Sequence, residues 1–350
     1  MKSIIQFIIL VFALAITVGC KNNSNTPDAT PEPEPVVFAK GADVGWITEM
    51  EAAGVKFYDN SGIEKECMQL LKEKGINSIR LRAWVNPVKG WNNTKDLVVK
   101  SKRAKNLGMK FMIDFHYSDG WADPGKQAIP AAWAKMNLIE MQTALFNYTK
   151  SVMDTLKLNG INPDWVQVGN ETNDGMLWEV GRASKSMANF ASLVASGYNA
   201  VKAVNPNTPV IVHLSNGYDN GLFRWMFDGL KANGAKWDII GMSLYPTWAQ
   251  GGIDAWASTN AKCLANMNDM IARYNTPVMV VEVGMPNDQP EKSKAFLADI
   301  ITKTKEIPNG KGLGVFYWEP QCYKKWNGYG LGAFDDTGKP TIAMDAFLEK

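Results

Sequence analysis

The chain has 350 residues, 46% of them hydrophobic and 11% aromatic, enough to bury a sizeable core as one large domain or two small ones. Its 37 basic and 35 acidic residues leave a net charge of +2 spread along the sequence, which argues against a polyanion-binding surface and makes nucleic acid a poor partner. Thirteen tryptophans are far above ordinary usage and point either to an unusually aromatic core or to a cleft lined with flat apolar faces, which suits sugars.

In chain order, the first segment reads as an export signal: Lys2, an apolar run over 4–18, then Gly19 and Cys20. The run is short for a membrane-spanning helix, which needs about 20 apolar residues. A cysteine closing it resembles a bacterial lipoprotein signal, with cleavage before Cys20 and lipid on its thiol; a plain signal peptide with an incidental cysteine is the alternative. The expected organisation is a signal peptide over 1–19, a lipid-anchored proline-rich tether over 20–36, and a folded domain over 37–350. That predicts a monomeric lipoprotein held at a membrane, at the cell surface of a Gram-negative bacterium. Cys67, Cys263 and Cys322 are too widely spaced for a disulfide framework or a metal site and are expected to be core thiols.

From residue 37 onward, short apolar runs alternate with helical stretches in eight units. Strands are expected at 39–45, 76–83, 109–115, 164–170, 209–214, 237–243, 277–283 and 312–318. Amphipathic segments such as IEKECMQLLKEKG, LVVKSKRAKNLG and SKAFLADIITKTKE lie between them, several closed by glycine. Alternating βα units imply an α/β fold with a parallel sheet. Eight of them favour a closed (β/α)8 TIM barrel, with an open doubly wound sheet as the alternative.

Barrel chemistry sits at the carboxyl ends of strands. There the sequence places DFHYSD, GNE, HLSNG, SLYP, VEVG and YWEP, after strands three to eight. Glu171 and Glu282 each follow an apolar strand, where a carboxylate is costly to desolvate unless it is paired or used. Two such groups facing each other suit glycosidic hydrolysis. A gap of roughly 5 to 5.5 Å gives retention through a covalent intermediate, and roughly 6.5 to 9.5 Å admits water and inverts. His116 and His213 lack a second ligand at metal-binding spacing, so no metal is expected. No cofactor is required either.

The Asn-Glu pair 170–171 with a second glutamate at 282 resembles a large clan of retaining glycosidases. The block DFHYSDGWADPGKQAIPAAW over 114–133 is more particular and resembles family 53 glycoside hydrolases, the arabinogalactan endo-β-1,4-galactanases. GADVGW, RLRAW, VGNETNDGMLW, IIGMSLYPTW and VFYWEP are similar to the same family, over about residues 38 to 349. Departures are Leu244 where members have tyrosine, Ser215 where an acid is common, and a short segment GMPNDQPEKSKAF in the loop region where some relatives bind calcium.

The resemblance implies Glu171 as acid/base and Glu282 as nucleophile, acting on β-1,4-galactan of arabinogalactan and pectin. Asn170 is then expected to hydrogen-bond the sugar 2-hydroxyl, Arg80 to pair with Glu282, Tyr245 to hydrogen-bond the nucleophile, and His116 to support the glutamates. Trp318 and Trp121 are the expected stacking platforms. Trp84, Trp248, Asp119, Arg82, His213 and Asn216 complete the expected substrate contacts. The competing readings are a clan relative acting on xylan, mannan or β-glucan, and a non-catalytic surface glycan-binding lipoprotein.

Overall fold

A computed structural model describes residues 37–349. The signal, Cys20 and the tether lie outside those residues. Eight parallel strands form a closed barrel: β1 Ala39–Asp43, β2 Ser78–Ala83, β3 Lys110–Phe115, β4 Trp165–Val168, β5 Val210–Leu214, β6 Ile239–Leu244, β7 Val278–Val283 and β8 Gly312–Trp318. Pairing of β1 with both β2 and β8 closes the sheet and excludes the open doubly wound alternative. The observed strands fall inside the expected ranges, except that β6 runs one residue further, to Leu244.

The outer layer is made by helices α1 Ile47–Ala52, α2 Cys67–Glu73, α3 Thr94–Asn106, α4 Leu138–Leu158, α5 Met187–Val204, α6 Asn220–Ala232, α7 Trp256–Tyr274 and α8 Pro290–Lys305. In α4, Met141, Leu145, Val152 and Leu156 recur at helical spacing and face the barrel, and an Asn137/Glu140 capping box satisfies its first turn. After β8 the ring is completed by a short 3-10 segment, Ile342–Phe347, packed on α8. Cys67, Cys263 and Cys322 are free and buried, as expected for core thiols.

The apolar residues form two layers. Outward-facing strand residues meet the helices in a large core. A second cluster, including Met112, Trp165, Ile211, Met279 and Phe316, plugs the barrel interior. Gly41 is required there, because a Cβ at that position would lie 2.0 Å from the Phe316 ring. Above the plug the interior turns polar: Asp43 pairs in register with Arg80, Arg82 with Asp114, and Asp114 with Gln167. This charged layer, at the carboxyl ends of the strands, carries the site.

Candidate active site

Arg80 is fully buried and organises the charged layer. Its Nη1 lies 2.8 Å from both Asp43 Oδ2 and Glu282 Oε1, and its Nη2 lies 2.9 Å from Asp114 Oδ2. Nη2 also donates to Asn170 Oδ1 at 2.9 Å and to Gln167 Oε1 at 3.0 Å. Burial opposes the guanidinium charge, but Asp114, Glu282 and Asp43 outweigh it and hold the proton more firmly than on an ordinary arginine.

The two glutamates enter one cavity of about 220 Å³, walled by Trp121, Trp318, Trp248, Tyr245 and Asn170. Glu282 stays in β7, and Tyr245 Oη donates to its Oε2 at 3.1 Å. Glu171 is placed differently from expectation. Strand β4 stops at Val168 rather than residue 170, because Gly169 (φ 83°) and Glu171 (φ 45°) turn into the left-handed region and end the pairing. The Thr172 backbone N–H donates to His213 O at 2.9 Å and Asn173 Nδ2 to Ser215 Oγ at 2.7 Å, so β5 pins this turn. Glu171 Oε1 meets Ser243 Oγ at 2.7 Å. Both carboxyls therefore reach side chains of the chain segment at the end of β6, two residues apart.

Their electrostatic settings are unequal. Burial raises both carboxyls above the usual range. For Glu171 the next cause is repulsion from Glu282, with a hydroxyl as its side-chain partner. For Glu282 the Arg80 charge opposes the rise, Asp114 and Asp43 add to it, and Tyr245 contributes a hydrogen bond to the ionised form. Glu171 thus meets a like charge and a neutral hydroxyl, whereas Glu282 meets a cation.

Several expected contacts are placed elsewhere. His213 is a correction: it is fully buried behind Glu171, with Nδ1 3.0 Å from Asn170 Oδ1 and Nε2 2.8 Å from Ser243 Oγ, so it cannot reach a sugar. Burial and then Arg80 push its pKa well down, leaving it neutral. His116 lines the cavity, but both ring nitrogens are used, by Asp114 Oδ2 at 3.0 Å and by the Ala122 backbone N–H at 3.1 Å; it supports the wall, not a glutamate. Asn216 is a left-handed turn residue (φ 55°) that accepts a hydrogen bond from Tyr218 Oη, outside the cavity. Arg82 lies buried under the tryptophans instead of in the cleft.

Asp119 and Trp84 line a neighbouring cavity of about 400 Å³, whose boundary with the first is Trp121. Asp119 accepts the backbone N–H groups of Asn86 and Ala131, so it ties loops together. Trp248 is 64% exposed at the cavity rim. Asn170 keeps one amide hydrogen for a ligand, since Nδ2 donates once, to Ala122 O at 2.9 Å.

Sequence reasoning missed Ser243, Asp43, Asp114, Gln167 and Glu319. Asp43 and Asp114 stood in the motifs GADVGW and DFHYSD and were discoverable by alternation onto the Arg80 face. Ser243 stood in SLYP at a strand end, but nothing there tied it to Glu171. Among the described residues, no group of three or more His, Cys, Asp or Glu could hold a metal ion.

Breaking a glycosidic bond takes one carboxyl to protonate the departing oxygen and one to meet the sugar's growing positive charge. Two carboxyls entering one tryptophan-walled cavity at a barrel mouth suit a glycoside hydrolase. The model of Glycosyl hydrolase family 53 matches residues 39–347, so the chain belongs to that family. It is 33% identical to the arabinogalactan endo-beta-1,4-galactanase of Cellvibrio japonicus, over 97% of this chain and 96% of that one. It is 32% identical to the enzyme of the same name from Thermothelomyces thermophilus, over 80% and 89%. Among solved structures, a fungal beta-1,4-galactanase superposes with a TM-score of 0.83 at 29% identity, covering 90% of this chain and 100% of its own. The Ignisphaera aggregans GH53 catalytic domain superposes with a TM-score of 0.78 at 30% identity, covering 91% and 98%.

Proposed function

We propose that this enzyme cleaves β-1,4-galactan of arabinogalactan and pectin internally, by double displacement with retention. The substrate reading is supported by family membership and by the galactanases it resembles. The mechanism is carried by one observation: Glu282 is held by Arg80 and Tyr245, whereas Glu171 faces a single hydroxyl.

In the first step Glu282 attacks the anomeric carbon as Glu171 protonates the leaving glycosidic oxygen. The bond to the leaving group breaks and a glycosyl ester forms on Glu282. Water, deprotonated by Glu171, then attacks the same carbon and releases Glu282, with net retention. Asn170 donates to the sugar 2-hydroxyl as charge develops, and Trp318 and Trp121 offer stacking faces. The remainder of the reading is an exported monomer anchored through lipid on Cys20, which radiolabelled palmitate incorporation and its loss in Cys20→Ala would test.

Initial rates on potato galactan, xylan, mannan and β-glucan test the substrate. Galactan is expected to be cleaved fastest, and no cleavage of galactan removes the reading.

The pH profile tests the charge assignment. Activity needs Glu282 ionised and Glu171 protonated, so kcat/KM is expected to be bell-shaped. Burial raises both carboxyls, which displaces both limbs upward from ordinary glutamate values: activity falls as acid protonates Glu282 and as base strips Glu171. Steady-state rates from about pH 4 to 10 measure this. An alkaline limb at the pKa of an ordinary glutamate contradicts the assignment.

A further inference from the structure

Arg82 is fully buried and lines neither cavity, yet it sits at the wall between them. Its Nη1 pairs with Glu319 and lies 3.5 Å from Asp43 Oδ1. Its Nε and Nη2 are buried and have no hydrogen-bond partner among the described residues. They face indoles: Cζ is 4.4 Å from the Trp121 ring centre, 5.1 Å from Trp46, 5.5 Å from Trp84 and 5.9 Å from Trp318. A flat, weakly hydrated cation can be shared among ring faces where a compact ammonium cannot.

These four rings also pack on one another edge to face. Trp46 lies 5.4 Å from Trp121 and 5.1 Å from Trp318, and Trp84 lies 5.0 Å from Trp121. Trp46 and Trp84 line the larger cavity, Trp318 the catalytic one, and Trp121 both.

Glu319 ties the group together. Its carboxylate accepts the Trp46 backbone N–H, at 3.1 Å to Oε1, and Gln321 Nε2 at 2.5 Å. Its own left-handed backbone (φ 48°) sets the chain's exit from Trp318. Gly45 lets the backbone pass over the guanidinium, since a Cβ there would lie 2.2 Å from Nη1.

We propose that Arg82, anchored by Glu319, is a positioning residue for glycan binding. It fixes Trp46, Trp84, Trp121 and Trp318 as one wall running from the catalytic cavity into its neighbour, so that a β-linked glycan extending past the cleavage point meets preset stacking faces. This rests on the proposed galactan hydrolysis for its assay.

The test uses Arg82→Met with Glu319→Gln in the full chain, a pair that removes both buried charges together and retains bulk. Cooperative melting and circular dichroism establish folding. KM for long galactan is expected to rise about tenfold while kcat stays within about threefold. KM for a galactosyl substrate short enough to occupy only the catalytic cavity should rise by less than half that factor. Quenching of tryptophan emission by galacto-oligosaccharides should shift to about tenfold higher concentration.

Unchanged KM for long galactan, an equal rise for long and short substrates, or a fall in kcat alone overturns the proposal. If the double variant does not fold, Glu319→Gln alone is read by the same split, with about a threefold rise in KM for the long substrate expected and none overturning it. A wild-type chain that neither binds nor cleaves galactan defeats the substrate reading instead, and the two failures are thereby distinguished.

Discussion

Glu282→Ala is expected to lose at least about four orders of magnitude in kcat on galactan, because without a nucleophile no covalent intermediate forms. Azide should enter the vacated space and attack the anomeric carbon from the same face, giving an α-galactosyl azide by a single inversion. Glu171→Ala should lose about 10²–10⁴-fold on galactan and much less on an aryl galactoside whose phenolate departs without protonation. Azide in that variant should intercept the intermediate on Glu282 and give the β product. Rates and product anomers by NMR decide the matter: reversed anomers exchange the roles, and turnover that survives in Glu282→Ala without azide defeats the mechanism. The unequal setting of the two groups underlies the expectation, since Arg80 and Tyr245 both hold Glu282 and Ser243 alone touches the Glu171 carboxyl.

Arg80→Met is expected to cost about 3–5 kcal/mol of folding stability at pH 7.5, the range for removing one partner of a buried ion pair. Asp43, Asp114 and Glu282 all lie within 2.9 Å of the guanidinium, and none has enough water to take its place. The sign with pH follows from linkage. Once the cation is gone, nothing of comparable charge opposes the burial that raises Glu282, so the folded variant binds a proton there more readily than the unfolded chain. Its deficit should therefore shrink as pH falls toward about 5. Urea melts at the two pH values measure this, and a deficit that is the same at both argues for lost packing instead of stranded charge. The variant should also lose about a hundredfold or more in kcat/KM at neutral pH, because Glu282 then retains its proton.

Much of this organisation was legible before any fold was known. Strands buried on both faces read as apolar runs, which is why the eight units and their order could be taken from residues alone. Glu171 and Glu282 stood out because a carboxylate after such a run needs a reason, and the family resemblance matched Arg80 and Tyr245 to Glu282, contacts that the structure contains. Side-chain direction was not legible in the same way. His213, Asn216 and Arg82 occupy the right end of the barrel, but one is turned behind Glu171, one is spent in a turn, and one lies beneath the tryptophans. A residue's place along a strand sets its height in the barrel, whereas its partner depends on register with neighbours far away in the chain.

What the sequence by itself determined is therefore the barrel and the family, because each is written in local periodicity or in contiguous motifs, along with the two glutamates on which the proposed mechanism rests. Only the tertiary structure decided how those glutamates differ. The left-handed turn at Gly169–Glu171, the meeting of Glu171 with Ser243 and the convergence of Asp43, Asp114 and Glu282 on Arg80 come from closing strands widely separated in sequence into one ring. Burial and charge in that ring place one carboxyl beside a hydroxyl and the other beside a guanidinium.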